Sequence, residues 1–175
     1  MSLKLLADKY IELSVKAIAE ITKDNYQNFN GIAEDYLFLY CRTGSMKIIV
    51  DDNPYELNEN DIILIRINSS YSIEKENFST IFLAFNGSSA EDLISVMEFE
   101  NNMYHDDSHL GYYFYKIYHA YHEAEFLSIK CLGILYELFY ELTKNANVID
   151  VDYNNQQKHV EIAKEYINQN GRISF

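Results

Sequence analysis

The sequence predicts an α+β fold: a small antiparallel β-barrel or jelly roll, followed by two or three helices packed outside it. Short segments rich in β-branched and aromatic residues recur at residues 36–41, 46–50, 62–67 and 80–85. Turn-forming residues separate them at 42–45, 51–54 and 58–61. Evenly spaced short strands are typical of small barrels, whose interior is a natural place for a small ligand. After residue 89 the apolar period becomes helical.

Composition and charge restrict the possible partners. The chain has 175 residues, enough for one domain or one domain and a fragment, and its net charge is −13. An acidic surface repels phosphate, so these residues alone are a poor nucleic-acid binder. Cys41 and Cys131 lie in different predicted elements and do not indicate a disulfide framework. No apolar run is long enough to cross a membrane and no secretory signal is evident, so we expect a cytoplasmic protein without a membrane partner.

Residues 4–23 fit two periods. Their apolar residues alternate as in a half-buried strand, but Ile11, Val15 and Ile18 also fit one face of a helix. Strand is favoured because the alternation is longer and β-branched residues dominate it. Residues 24–31 are rich in asparagine and predict a loop. Asn60 precedes a strand and can adopt the left-handed conformation of a tight turn.

Three helical segments follow the barrel. Ser89 is a candidate N-cap for the first helix, the second spans residues 109–124, and the third spans residues 125–145. The third helix carries two apolar stripes, so one can pack on the barrel and the other needs a further helix or a second subunit. The stripes are Ile129, Leu132, Tyr136 and Phe139, and Cys131, Leu135, Leu138 and Leu142.

The remaining residues predict a linker and the start of a second domain. Residues 146–155 have few helix formers, and residues 156–170 form one more amphipathic pattern that Gly171 terminates. A helix of this size with only four residues after Gly171 has little to pack against. The predicted division is therefore a barrel at 1–88, a helical segment of the same domain at 89–145, a linker at 146–155, and the first helix of a truncated helix-turn-helix domain at 156–175.

The order of these motifs resembles the cupin-like ligand-sensing domain of AraC-family transcription regulators. The features are an aromatic strand ending in a glycine turn at 36–44, a hairpin at 51–54, the strand LNENDIILI at 57–65, and FLAFNGS at 82–88, followed by helices. Tyr166, Ile167 and Asn168 resemble a segment in the first helix of that family's DNA-binding domain. Tyr71 stands where the family often has a histidine. The resemblance implies a small-molecule effector in the barrel and DNA contact only through the missing C-terminal domain.

Strand parity, with this resemblance, predicts which side chains face the barrel interior. Leu37, Leu39, Cys41 and Thr43 share one face of their strand, and the resemblance favours that face for the interior. We therefore predict a ligand site of hydroxyl groups and apolar walls. The alternative is that the same residues fill the barrel, since small barrels are often packed solid. The predicted ligand-binding residues are Cys41, Thr43, Met46, Tyr71, Ile73, Thr80 and Phe82.

The third helix is the predicted dimer interface of a homodimer. Leu132→Glu or Phe139→Asp is expected to give folded monomers. The predicted interface residues are Ile129, Leu132, Leu135, Tyr136 and Phe139.

We expect no catalysis, cofactor or metal. The metal site of cupin enzymes needs several histidines on the barrel strands, and residues 34–86 contain none. The five histidines lie elsewhere. His105 with His109, and His119 with His122, have spacings that could hold a metal on a helix, but solvated surface positions explain them more simply. The alternative function is a stand-alone cupin enzyme of isomerase or oxygenase type, which would require a bound metal.

Overall fold

The structure is a computed structural model that describes residues 13–26, 29–74, 78–97, 99, 102–106, 109–123 and 127–144. The predicted linker at 146–155 and the predicted helix at 156–170 lie outside these residues. Among the described residues, the strands and helices run in the order β1 (Ser14–Thr22), β2 (Asn30–Ile32), β3 (Tyr36–Val50), β4 (Asn53–Asn58), β5 (Asp61–Ile65), β6 (Ser70–Glu74), β7 (Phe78–Asn86), α1 (Ala90–Ser95), β8 (Met103–His105), α2 (Gly111–His122) and α3 (Leu127–Lys144).

The strands form one eight-stranded antiparallel sheet organised around β3. The first half of β3 lies between β7 and β5, giving the order β1-β7-β3-β5-β8. Its second half pairs with β4 and β6, and β2 pairs with β6. Strands from both halves contribute side chains to one enclosed interior cluster. The predicted class, α+β with an antiparallel barrel-like sheet and helices outside it, is confirmed.

The predicted turn at residues 42–45 is wrong, because β3 continues through it. Cys41 pairs with Thr80 and Thr43 with Ser79, so Arg42 is the extra residue of a β-bulge. Gly44 follows with φ +78°. A bulge and a glycine bend a strand without ending it, and here they let β3 pass from one half of the sheet to the other.

The other tight turns follow the prediction more closely. Asp51 and Asp52 have φ values of 48° and 64° in the hairpin between β3 and β4, whereas Pro54 already belongs to β4. Asn60 has φ 72° immediately before β5, as its predicted left-handed role requires. The prediction did not identify β4 as a strand of its own.

Residues 14–22 form a strand, which confirms the period-two interpretation. The register of β1 against β7 shifts between Val15 and Ala17. After this irregularity Ile18 packs with the helices, and Ile21 packs in the barrel interior. Both faces of β1 are therefore covered, and the simple alternation predicted for it is broken near Lys16.

Two separate hydrophobic cores lie on opposite faces of the sheet. The interior core includes Leu39 and Ile63, and the outer core joins the sheet to α2 and α3. Phe38 is the centre of the outer core. It is fully buried, and its ring contacts four others at centroid distances between 4.9 and 6.3 Å, those of Phe85, Phe99, Phe114 and Phe139.

The helices start and end near their predicted bounds. Ser89 occupies the N-cap position of α1 but makes no capping hydrogen bond through its side chain, and Glu91 and Asp92 lie in the first turn instead. Acidic side chains there interact favourably with the positive end of the helix dipole. No helix among the described residues has the length and apolarity needed to cross a membrane.

Candidate functional site

The structure brings six of the seven predicted ligand-binding residues together inside the barrel. Strand pleating places Cys41 on the interior face of β3, and the second half of β3 contributes Met46. Strand β6 supplies Tyr71 and Ile73, and β7 supplies Thr80 and Phe82. All are buried except Tyr71, which is half-buried at the edge of the cluster. Their role in ligand binding stays a prediction.

Thr43 is placed differently from its prediction. The bulge at Arg42 shifts the register of β3 by one residue, so the parity that holds from Leu37 to Cys41 does not extend to Thr43. Thr43 is exposed. Its hydroxyl therefore does not join the interior cluster, and only its backbone carbonyl lies near the Cys41 thiol, with a sulfur–oxygen distance of 3.9 Å.

Thr80 places a hydroxyl group in this apolar interior. Its side chain is fully buried, and its hydroxyl donates to the sulfur of Met46 at 3.2 Å. It also interacts with the Cys41 thiol. Sulfur is a weak hydrogen-bond acceptor, so this hydroxyl is satisfied less well than by an oxygen. A ligand oxygen placed here would offer it a stronger partner.

Cys41 is held as a neutral thiol. Burial raises its pKa to about 11, and the hydroxyl of Thr80 only partly opposes that rise. The thiolate is the nucleophilic form of cysteine, so a thiol with this pKa is inert at neutral pH. Cys41 is therefore a packed residue of the interior and a poor candidate for a nucleophile.

Aromatic side chains cover one side of the interior. Phe29 contacts Phe82 with ring centroids 5.4 Å apart, and Tyr26 contacts Phe78 at 6.4 Å. Burial raises the pKa of Tyr71, which keeps its hydroxyl protonated and able to donate. The sequence interpretation treated residues 24–31 as a loop and missed these aromatic residues. The signal for them was a tyrosine and a phenylalanine three residues apart in an otherwise polar stretch.

The predicted dimer-interface residues divide between two surfaces of α3. Leu135 and Phe139 are buried against the sheet, so they belong to the core of the protomer. Leu132 is partly buried on the same core, whereas Ile129 and Tyr136 are 75% and 38% exposed. The expectation that Phe139→Asp gives a folded monomer is therefore wrong, because a carboxylate at this site would be buried among aromatic rings.

The histidine pairs do not form a metal site among the described residues. His105 lies in β8, not in a helix, and its Nδ1 is 2.6 Å from Oδ1 of Asp61. His119 and His122 lie in α2, where their rings contact the ring of Tyr118. No group of three or more histidine, cysteine, aspartate or glutamate side chains within the described ranges is arranged to hold a metal ion.

No protein-family model and no curated protein matches this sequence. Solved structures with a similar fold include apo ToxT from Vibrio cholerae, at 14% identity and TM-score 0.45, with 92% of this chain and 66% of that chain covered. A ToxT structure bound to (E)-4-(8-methylnaphthalen-1-yl)but-3-enoic acid matches at 17% identity and TM-score 0.42, covering 81% and 61%. This chain thus spans less than two thirds of the length of the ToxT chain in that complex.

A cupin-family protein with a double-stranded β-helix fold from Methanocaldococcus jannaschii matches at 15% identity and TM-score 0.35, covering 43% of this chain and 72% of that one. Identities this low and TM-scores below 0.5 carry no argument about function. The function must therefore be argued from the side chains described above.

Proposed function

We propose that this chain is the effector-binding and dimerisation domain of a cytoplasmic AraC-type transcriptional regulator, and that it catalyses no reaction. The observation that carries the proposal is the Thr80 hydroxyl, fully buried in an apolar interior and paired with sulfur. A barrel that serves only as a scaffold gains nothing from such a group, because burying a hydroxyl costs free energy unless it is well hydrogen-bonded.

The interior favours one class of effector. Its walls are aliphatic and aromatic, including Ile48, Ile63 and Phe82, and Thr80 is its central polar group. The ligand this environment favours is a small, mostly apolar molecule that carries one hydroxyl or carbonyl oxygen. Tyr71 at the edge of the cluster can bond a second oxygen, since its phenol remains protonated.

Two features support binding over catalysis. The barrel strands from β3 to β7 carry no histidine, so they cannot build the imidazole ligand set of cupin metal enzymes. The cysteine of the interior is a neutral thiol and a poor nucleophile. These side chains can position a ligand, but they do not provide an acid–base pair or an activated nucleophile.

The dimerisation part of the proposal rests on one exposed stripe of α3. This α3 stripe consists of Ile129, Gly133, Tyr136 and Tyr140. Its spacing of four, three and four residues is that of a helix-packing seam. The two tyrosines are 38% and 62% exposed, and a Cβ added at the glycine would meet nothing within 4 Å in the protomer. Large exposed apolar side chains around a glycine suit close approach by a second copy of the same helix.

Effector occupancy would act through the shared sheet. The interior and the outer core lie on opposite faces of β3 and β7, so a change in the packing of Phe82 is passed to its neighbours Ile81 and Leu83, which face the helices. Regulation requires that the effector bind two arrangements of the domains with different affinity.

The test is a thermal-shift screen of the purified chain against small apolar alcohols, ketones and aromatic acids, followed by calorimetry on any hit. A ligand at a hundred times its Kd stabilises a protein by about 2.7 kcal/mol. Thr80→Val preserves shape but removes the hydroxyl, so we expect it to weaken binding by about 1 kcal/mol, or roughly fivefold.

The matched control is Thr143→Val, the same change on α3, where the hydroxyl bonds only a backbone carbonyl of its own helix, that of Tyr140, at 2.9 Å. It should leave the affinity unchanged. A hit whose affinity is equally insensitive to Thr80→Val and Thr143→Val would place the ligand outside the interior and contradict the proposal.

A further inference from the structure

A cleft lies outside the barrel, between the sheet and α2. Its volume is about 200 Å³. The floor is Ile81 of β7, which is 2% exposed. The lining side chains come from β1, β3, β7 and α2, and they are Glu20, Arg42, Ile81, Tyr115, Tyr118 and His119.

Arg42 is held at the wall of this cleft by two contacts, one with Glu20 and one with the ring of Tyr115. Its Nη1 donates to Oε1 of Glu20 at 2.9 Å, and the same oxygen accepts a hydrogen bond from the Ser79 hydroxyl at 2.8 Å. The guanidinium carbon lies 5.7 Å from the ring centroid of Tyr115. The bulge at Arg42 accounts for its position, because bulges re-aim a side chain relative to a regular strand. The guanidinium is thus held in place before any ligand arrives.

We propose that this cleft binds a small planar carboxylate, with the ligand carboxylate on Arg42 and its flat apolar body between Tyr115 and Tyr118 over Ile81. A guanidinium has five N–H donors in a planar fork, so Arg42 can bind a second carboxylate while it keeps Glu20. Tyrosine rings are suited to stack on a flat ligand, and His119 at the edge adds a polar group. The site is separate from the barrel interior and does not depend on the interior binding anything.

An anion fits this chemistry better than a cation. Arg42 already places a positive charge over the face of Tyr115, so a cation in the cleft would meet a like charge there. Glu20 also lines the cleft, but its carboxylate is already paired with Arg42, and its Oε1 accepts a second hydrogen bond from Ser79, so its charge is compensated, whereas the other N–H groups of Arg42 can still bind an anion. The cleft also joins β3 to α2, so a bound carboxylate would bridge the barrel and the helices.

The test uses benzoate as the probe, with benzamide and benzylamine as the neutral and cationic analogues of the same size. Each is titrated to about 20 mM into the ¹⁵N-labelled 175-residue chain, since ligands this small bind shallow sites in the millimolar range. We expect saturable shifts at the amides of Tyr115, Tyr118 and His119 with benzoate, and at least tenfold weaker binding of both analogues.

Two arginine variants separate this site from general charge effects. Arg42→Gln should weaken benzoate binding at least tenfold, and Arg42→Lys, which keeps the charge but loses the fork, should weaken it by a smaller factor. Arg66→Gln is the control, because it removes the same charge and also breaks an ion pair with a glutamate, that with Glu91 at 3.2 Å, outside the cleft. It should change the affinity less than twofold.

Several results would overturn the site. These are shifts confined to interior residues such as Ile48 and Phe82, equal or tighter binding of benzylamine, equal weakening by Arg42→Gln and Arg66→Gln, or no saturable shift. The side chains of Arg42 and Glu20 are both more than a third exposed, so the two Arg42 variants should fold, and circular dichroism checks that they do. Loss of interior binding through Thr80→Val would leave this result untouched.

Discussion

At Gly111 the start of α2 lies against Tyr40 of β3. A Cβ at this position would overlap the hydroxyl and ring of Tyr40. Tyr40 has little freedom to move, because its hydroxyl donates to Oδ1 of Asn60 at 2.9 Å and its ring stacks on Phe114 with centroids 5.1 Å apart. Burial raises the pKa of Tyr40 to about 12, so the phenol stays a neutral donor. The start of α2 is therefore positioned by the absence of a side chain.

Gly111→Ala should destabilise the protein by roughly 1–3 kcal/mol, even though alanine is the better helix former, because the new methyl group must displace Tyr40. The measurement is the midpoint of urea unfolding followed by circular dichroism. Tyr112→Ala is the control, since Tyr112 is adjacent in the same turn and 60% exposed, and it should change stability by less than about 0.5 kcal/mol. Equal midpoints for wild type and Gly111→Ala would show that the contact is not tight.

At the scale of elements, the proposed dimer depends on the α3 stripe. Within the protomer, Gly133→Ala adds a methyl group in open space and should stabilise the helix by up to about 1 kcal/mol. In a dimer packed along the α3 stripe, the same methyl group would separate the two helices. We therefore predict opposite effects: a more stable protomer and a dimer dissociation constant raised about tenfold.

The measurement is analytical ultracentrifugation, with unfolding measured in the background of Tyr136→Glu, which should give a folded monomer because Tyr136 lies outside the core. Leu135→Glu is the contrasting variant, since Leu135 is fully buried and a charge there should unfold the chain. Dimers that persist with both Gly133→Ala and Tyr136→Glu would assign the contact to another surface.

Comparison of the predicted and observed elements shows what the sequence could and could not predict. Alternation correctly grouped Leu37, Leu39 and Cys41 on one face of β3, because pleating is a local property, and the resemblance selected that face as the interior. It failed at Thr43, since glycine and polar residues occur in bulges as well as in turns, and only the partner strand distinguishes them. In α3, the spacing placed Phe139 on the stripe of Ile129 and Tyr136, but the sheet buries it together with the other stripe, because the helix period alone does not tell which face the sheet covers.

Sequence patterns could not predict the cleft that Arg42 lines, for a related reason. Its side chains come from four elements, and Glu20 and Tyr115 are 95 positions apart in the sequence. No local period indicates that they meet. They are brought together by the register of β1 against β7 and β7 against β3, and by the packing of α2 on the outer core.

At the scale of the whole molecule, net charge would oppose the association proposed for the α3 stripe. Each chain carries a net charge of −13, so two chains would repel each other in the proposed dimer. The stripe itself is uncharged, consisting of an isoleucine, a glycine and two tyrosines. Its attraction comes from burial of apolar area, which salt does not screen.

Salt should therefore strengthen the dimer. Raising NaCl from about 50 to about 500 mM shortens the screening length from over 10 Å to about 4 Å and reduces the repulsion between the two chains. We expect the dissociation constant, measured by sedimentation equilibrium at neutral pH, to fall several-fold over this range, while Tyr136→Glu stays monomeric. An interface held by ion pairs would behave in the opposite way. One example would be an ion pair between Lys116 of one protomer and Glu137 of the other. Within one chain these two side chains are 3.1 Å apart, and salt would weaken such a pair. If the dissociation constant instead rises with salt, the dimer contact is a charged one and not the apolar α3 stripe.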